Sequence, residues 1–166
     1  MFQLSEFKGK YRPDGRVKIV LWMFISAFLF EGRLPLLNSR AKLSILRLFG
    51  CQAGQRIVIK PSVKIKYPWL LTLGDDVWIG ERVWIDNVAP ITIGSNVCIS
   101  QGVSMESGNH DHRDTGFKLL LHPIEIGSNV WVGCHAVLLP NARVPDGSFI
   151  RAGTVYRKET QRIDLT

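Results

Sequence analysis

From Ala53 onward an aliphatic residue returns every six positions. The register runs through Ala53, Ile59 and Ile65, then Leu73, Ile79 and Ile85, then Ile93, Ile99 and Met105, and finally Ile126, Val132, Leu138, Val144 and Ile150. The next residue is often glycine (Gly54, Gly74, Gly80, Gly94, Gly127, Gly133), and the residue four places on is small or β-branched, as at Val63, Val77, Val83, Val97, Val103, Ala136, Ala142, Ser148 and Thr154. An α-helix would bring its apolar face back at three and four residues, and a hairpin protein would show turn clusters every ~8–12. A period of six predicts a mainly β protein instead, a parallel β-helix in which each hexapeptide makes one short strand and a corner. The repeated aliphatic side chain points inward and the smaller one fills the space beside it. Glycine after the inward residue is expected to supply backbone conformations that a side chain would obstruct. Three hexapeptides close a turn of about 18 residues, and successive turns stack aliphatic on aliphatic.

The register breaks in three places. Two extra residues enter around Tyr67-Pro68-Trp69 and two more around Ala89-Pro90, which predicts bulged corners. Between Met105 and Ile126 the spacing is 21, so about fifteen residues leave the coil as a loop within 106–125 that carries SGNHDHRDTGFKLLLHP. A long loop thrown from a rigid solenoid is a favoured place for function.

Ahead of the coil, residues 17–31 and 39–49 read as two helices with Pro35 and Asn38 in the turn between them. The chain thus divides into an N-terminal helical cap segment, 1–52, and a β-helix domain, 53–166. The cap is expected to cover the open end of the coil, where backbone groups and apolar core would otherwise be exposed. The longest apolar run, Ile19 to Phe30, has twelve residues, against the roughly 20 that a membrane-spanning helix needs. It lacks a small-residue cleavage site after it, so it reads as a retained helix and not as a secretory signal.

The net charge of +7 lies at the front of the chain. Residues 1–60 hold 11 Lys+Arg against 3 Asp+Glu, net +8, and residues 61–166 hold 10 against 11, net −1. No base-reading motif accompanies this charge, and nucleic acid is not expected as a partner. The basic residues Lys8, Lys10, Arg12, Arg16 and Lys18 flank a helix rich in Trp22, Phe24, Phe28 and Phe30, a composition suited either to capping or to weak association with an anionic membrane surface. Cys51, Cys98 and Cys134 are odd in number and widely spaced, which suits a reducing, cytoplasmic compartment.

The stretches LGDDVWIGERVWI, ITIGSNVCISQGV, SGNHDH and HPIEIGSNVWVGCHAVLLPNARVPDG resemble the bacterial hexapeptide-repeat acetyltransferases. The N-terminal pattern LW…RLFG…I-x-P-S-V-K-I-x-YPW-x-L-x-LGD is similar to that of the colanic acid biosynthesis acetyltransferase (WcaF-like) group, and the resemblance covers nearly the whole chain. It implies a left-handed β-helix, a homotrimer with active sites between subunits, acetyl-CoA as co-substrate, and a sugar or polysaccharide-precursor hydroxyl as acceptor. After Val155 this chain runs YRKETQRIDLT where the family continues to a G-N-P-A segment and a C-terminal helix, which the CoA nucleotide contacts in relatives.

Acetyl transfer to a hydroxyl needs a base, and histidine titrates near neutrality. The family motif ending in N/T/S-x-H is matched by Gly108-Asn109-His110, which makes His110 the expected base in a direct transfer between two bound substrates. Asn109, His112 and Asp86 are the candidate acceptor contacts, and Asp111 or Asp114 is a candidate to fix the His110 tautomer. The resemblance implies that Trp131, Cys134 and Ala152 line the pantetheine tunnel, with Arg157 and Lys158 as phosphate partners. Trp131 has packing as its alternative. Cys134 is not expected to be a nucleophile. The four histidines, His110, His112, His122 and His135, raise the rival of a γ-carbonic-anhydrase-like zinc enzyme, but no H-x4-H pair lies on a coil, and no metal is expected. A non-catalytic β-helix interaction subunit is the other rival.

Overall fold

The computed structural model describes Ser5, residues 15–31 and residues 37–157. Two helices, α1 (Arg16–Leu29) and α2 (Ser39–Leu48), precede a parallel β-helix of stacked coils. Its strands fall into three parallel sheets, one per side of the prism. The first side holds β1 (Gln52–Ala53), β4 (Leu71–Leu73), β7 (Ile91–Ile93), β12 (Ile124–Ile126) and β15 (Arg143–Val144). The second holds β2 (Val58–Ile59), β5 (Val77–Ile79), β8 (Val97–Ile99), β13 (Trp131–Val132) and β16 (Phe149–Ile150). The third holds β3 (Lys64–Ile65), β6 (Trp84–Asp86), β9 (Ser104–Glu106), β14 (Val137–Leu138) and β17 (Val155–Tyr156). A two-stranded antiparallel hairpin, β10 (Gly108–His110) with β11 (Leu119–Leu121), stands apart from them.

Strand register places the hexapeptide positions in three columns. Ala53, Leu73, Ile93, Ile126 and Val144 stack on the first side, and Ile59, Ile79, Ile99, Val132 and Ile150 on the second. Ile65, Ile85, Met105 and Leu138 continue on the third side to Tyr156. Most of these side chains are wholly buried, each worth about 1.5–3 kcal/mol of transfer free energy. Tyr156 extends the register beyond its last aliphatic member: it packs on the core at the far end, and its hydroxyl donates to the Arg143 carbonyl at 2.9 Å.

Eleven corners of the coil turn through a left-handed residue three places after an inward one, the exceptions being the two bulged corners and the one from which the hairpin leaves. Arg56, Ser62, Asp76, Arg82, Asn96, Asn129, His135 and Asn141 all have positive φ, and Gly102, Gly147 and Gly153 take the remaining corners of this kind. The glycines that directly follow inward residues serve a different purpose from the expected conformational one. A Cβ on Gly74 would meet the Gly94 carbonyl carbon at 2.7 Å, and one on Gly94 would meet Gly127 at 2.7 Å, so these positions are empty because the next coil's backbone lies there.

The two expected bulges are corners held by buried polar side chains. A 3-10 turn at Pro68–Leu70 forms the first, and Tyr67 exchanges two hydrogen bonds with the Asn87 amide, at 2.9 and 2.6 Å. Ser107 does the same for the second: its hydroxyl accepts from the Ala89 N–H at 2.8 Å and lies within bonding distance of the Asp86 and Ala89 carbonyls. Both Asn87 and Ser107 are fully buried, and their bonds to backbone offset the cost of burying a polar group.

The open end of the first coil is closed by the helices. Ser39 accepts the Ile59 N–H at 3.0 Å, and the buried Lys42 ammonium donates to the Lys60 carbonyl at 3.1 Å; burial holds its pKa below the usual lysine value. Asn38 caps α2 by accepting from Ala41 N–H at 2.9 Å. Trp22 anchors α1 by donating to the Ile65 carbonyl at 2.8 Å while packing on Phe30 and Phe49. Pro35, expected in the interhelical turn, lies outside the described residues.

Candidate functional site

The extruded segment is built on the buried Ser107, whose carbonyl accepts the His122 N–H at 2.9 Å where the chain returns. Between these points it forms the hairpin, pairing Asn109 with Leu120 and His110 with Leu119. Gly108 lies against Val88, where a Cβ would run into the valine side chain, so the hairpin base packs onto the second bulged corner. The tip is a series of tight turns: Asp111 N–H donates to Lys118 O at 2.8 Å and Phe117 N–H to Asp114 O at 3.1 Å.

His110 is half-buried. Its Nδ1 lies 2.7 Å from the Phe117 carbonyl oxygen, and its ring stacks on the Phe117 ring at 4.2 Å between centroids and 4° between planes. The tautomer-setting partner is therefore a backbone carbonyl and not Asp111 or Asp114. The Asp111 carboxylate accepts instead from Arg113 N–H at 2.9 Å, and Asp114 makes its backbone bond to the Asp111 carbonyl. Phe117 was not singled out from the sequence, because a loop aromatic seven residues past a histidine has no distinguishing pattern. Asn109 is exposed, and its side chain accepts from the His110 N–H at 2.8 Å. His112 is exposed at the hairpin tip.

Asp86 faces outward on β6 and pairs with Lys66 at 2.7 Å. It lines a groove of about 680 Å³ between α1 and the third side of the prism, together with Ile19, Met23, Lys66, Tyr67 and Trp84. Among the described residues, the lining of this groove includes none of the hairpin.

On the donor side, the structure brings Cys134 and Ala152 together on one corner of successive coils, where Gly153 N–H donates to the Cys134 carbonyl at 2.9 Å and Gly133 has no room for a Cβ beside Ala152 N. Trp131 lies on a different surface, the outer face of the second side, where its indole donates to Ser100 Oγ at 2.9 Å and meets Phe149 edge-on. Arg157 is exposed just after β17, and Lys158 lies outside the described residues. No group of three or more His, Cys, Asp or Glu side chains among the described residues is placed to hold a metal ion.

Stacked hexapeptide coils with an inserted, histidine-bearing hairpin define a hexapeptide-repeat β-helix. No protein-family profile matches the sequence. The putative colanic acid biosynthesis acetyltransferase WcaF of Escherichia coli is 38% identical over 155 residues, 92% of this chain and 84% of that protein. Two solved structures share the fold. A maltose O-acetyltransferase of Clostridium difficile superposes with TM-score 0.69 at 24% identity, over 90% of this chain and 81% of its own. A hexapeptide-repeat acetyltransferase of Vibrio cholerae, solved with acetyl-CoA, gives TM-score 0.66 at 20% identity, over 92% and 93%. The chain belongs to the hexapeptide-repeat acetyltransferase family, in the group of the colanic acid biosynthesis acetyltransferases, and is an acetyltransferase of that family.

Proposed function

We propose that this acetyltransferase moves acetyl from acetyl-CoA to a hydroxyl of a sugar or polysaccharide precursor, directly between two bound substrates, with His110 as general base. One observation carries the reading: the 2.7 Å approach of His110 Nδ1 to the Phe117 carbonyl oxygen. A carbonyl only accepts, so Nδ1 holds the ring proton and Nε2 of the neutral imidazole presents its lone pair. The acceptor O–H gives its proton to Nε2 as its oxygen attacks the thioester carbonyl. The tetrahedral intermediate then expels the CoA sulfur, which leaves as the thiol on taking the proton from the imidazolium. No acyl-enzyme is needed, and the half-buried Cys134 has no part in the sequence.

The groove holding Asp86 suits the acceptor. A carboxylate beside a lysine binds hydroxyls, and the partly exposed Trp84 offers a flat apolar surface to a sugar ring. The small corner residues Cys134 and Ala152 leave room for a pantetheine arm, and the exposed Arg157 is a phosphate partner for the nucleotide in this reading. Because the hairpin does not line the groove that holds Asp86, the site in this reading is completed in a homotrimer, where the hairpin of one subunit faces the groove of another. Among the described residues no helix is long and apolar enough to cross a membrane. We place the enzyme in the cytoplasm, with weak peripheral binding to an anionic membrane through α1.

Replacing the base tests the reading. His110→Ala should lower the transfer rate about 10²–10⁴-fold, the usual worth of a positioned base, with acetyl-CoA binding unchanged. His112→Ala should do much less. Equal losses, or a larger one at His112, would remove His110 from this role.

A further inference from the structure

Nine non-glycine residues in the described structure have positive φ, and eight of them sit at coil corners three residues after an inward position. The ninth is Phe117, φ 52°, which belongs to no coil. For a bulky aromatic this is a sparsely populated conformation, kept only where surrounding contacts repay it. Two such contacts are made to His110. The left-handed turn lets one residue deliver its carbonyl to Nδ1 at 2.7 Å and lay its ring flat on the imidazole at 4.2 Å.

We infer that Phe117 is a positioning residue for acetyl transfer, its ring and carbonyl acting as a two-point clamp on His110. A hydrogen bond to Nδ1 does not by itself fix rotation of the imidazole about the Nδ1···O axis. A parallel ring at van der Waals distance removes that rotation, because any tilt breaks the stack. The two contacts together define both the tautomer and the direction in which Nε2 points. Phe117 itself touches neither substrate in this scheme. The hairpin holds the clamp shut from behind, since Asp111 N–H bonds Lys118 O and Phe117 N–H bonds Asp114 O.

This inference rests on His110 being the base, and the experiment separates the two claims. Phe117→Asn keeps a residue that tolerates positive φ and retains the carbonyl, but removes the ring. Phe117→Tyr keeps the ring. Steady-state kinetics on the full-length protein should show kcat reduced roughly ten- to a hundredfold in Phe117→Asn, the scale of a small misplacement, with KM for acetyl-CoA unchanged. Phe117→Tyr should retain most activity. ¹⁵N chemical shifts of the His110 ring should report the Nδ1–H tautomer in all three proteins, since each keeps the carbonyl, while ring relaxation should show added mobility of the imidazole in Phe117→Asn alone. Full activity with an equally rigid His110 ring in Phe117→Asn overturns the clamp, since the turn alone would then suffice. Full activity in His110→Ala, measured in parallel, overturns the base instead, while the ring relaxation still judges the clamp.

Discussion

At Gly94 an added methyl would meet the backbone carbon and oxygen of Gly127 at 2.7 Å, whereas at Gly147, with φ 71°, nothing lies within 4 Å. These glycines are required for unlike reasons, closeness of the neighbouring coil in one and a left-handed corner in the other. Gly94→Ala should therefore cost about 1–3 kcal/mol or more, because backbone cannot yield as a side chain can. Gly147→Asn should be near neutral, as asparagine already fills the equivalent corners at Asn96, Asn129 and Asn141. Thermal or urea unfolding of the two variants measures this, and equal losses would show that coil spacing has been misjudged. The expectation of conformational freedom concerns the glycines after inward residues, where closeness of the next coil is the reason instead, and the left-handed role falls to corner glycines that the sequence pattern does not mark out. His110 was legible as a motif residue. Its partner was not, because a carbonyl oxygen has no sequence signature and the clamp needs a turn whose conformation no local residue type announces.

Among the elements, the short strands were legible because each column position is apolar and evenly spaced, while the hairpin was not. Its strands read Gly-Asn-His and Leu-Leu-Leu, with no alternation to mark a pair, and only the register of Gly108 with Leu121 discloses it. The first helix was legible as apolar, but its two faces were not. Trp22 and Ser26 are buried against the coil, whereas Val17, Val20, Leu21, Met23, Phe24 and Phe28 are all more than half exposed. The helix carries no acidic residue, and the first sixty residues hold 11 basic against 3 acidic side chains. An apolar, aromatic face with basic surroundings suits the interfacial zone of an anionic bilayer. Co-sedimentation with phosphatidylserine-containing vesicles should be detectable at low salt, fade as salt is raised, and weaken on Phe24→Ser with Phe28→Ser. Binding of equal strength to neutral vesicles, or none at low salt, would leave α1 as a cap alone.

At the scale of the molecule, the stacking of coils follows from a period of six, but handedness does not; it came from resemblance, against the general preference for right-handed crossovers. The outward positions, which the hexapeptide rule ignores, divide the prism into unlike sides. The first presents Gln52, Thr72, Thr92, Glu125 and Arg143, all polar. The second presents Val58, Trp78, Cys98, Trp131 and Phe149, and the third presents a mixed column of Lys64, Trp84, Ser104, Val137 and Val155. Trp78, Trp84, Trp131, Phe149 and Val155 are 43–63% exposed in one chain, an apolar area on adjoining sides that a solvated monomer rarely presents. Copies arranged about a three-fold axis, each second side against a neighbour's third, would cover both and leave the polar side to water. The proposed shared site requires such an arrangement to bring a hairpin histidine toward another chain's Asp86 groove. Sedimentation velocity should thus give a trimer; Trp78→Glu should shift it toward monomer with loss of transfer activity, while Thr92→Lys on the polar side should change neither. A stable and fully active monomer of the unmodified protein would refute the shared site, since each chain would then have to bring His110 and its acceptor together alone.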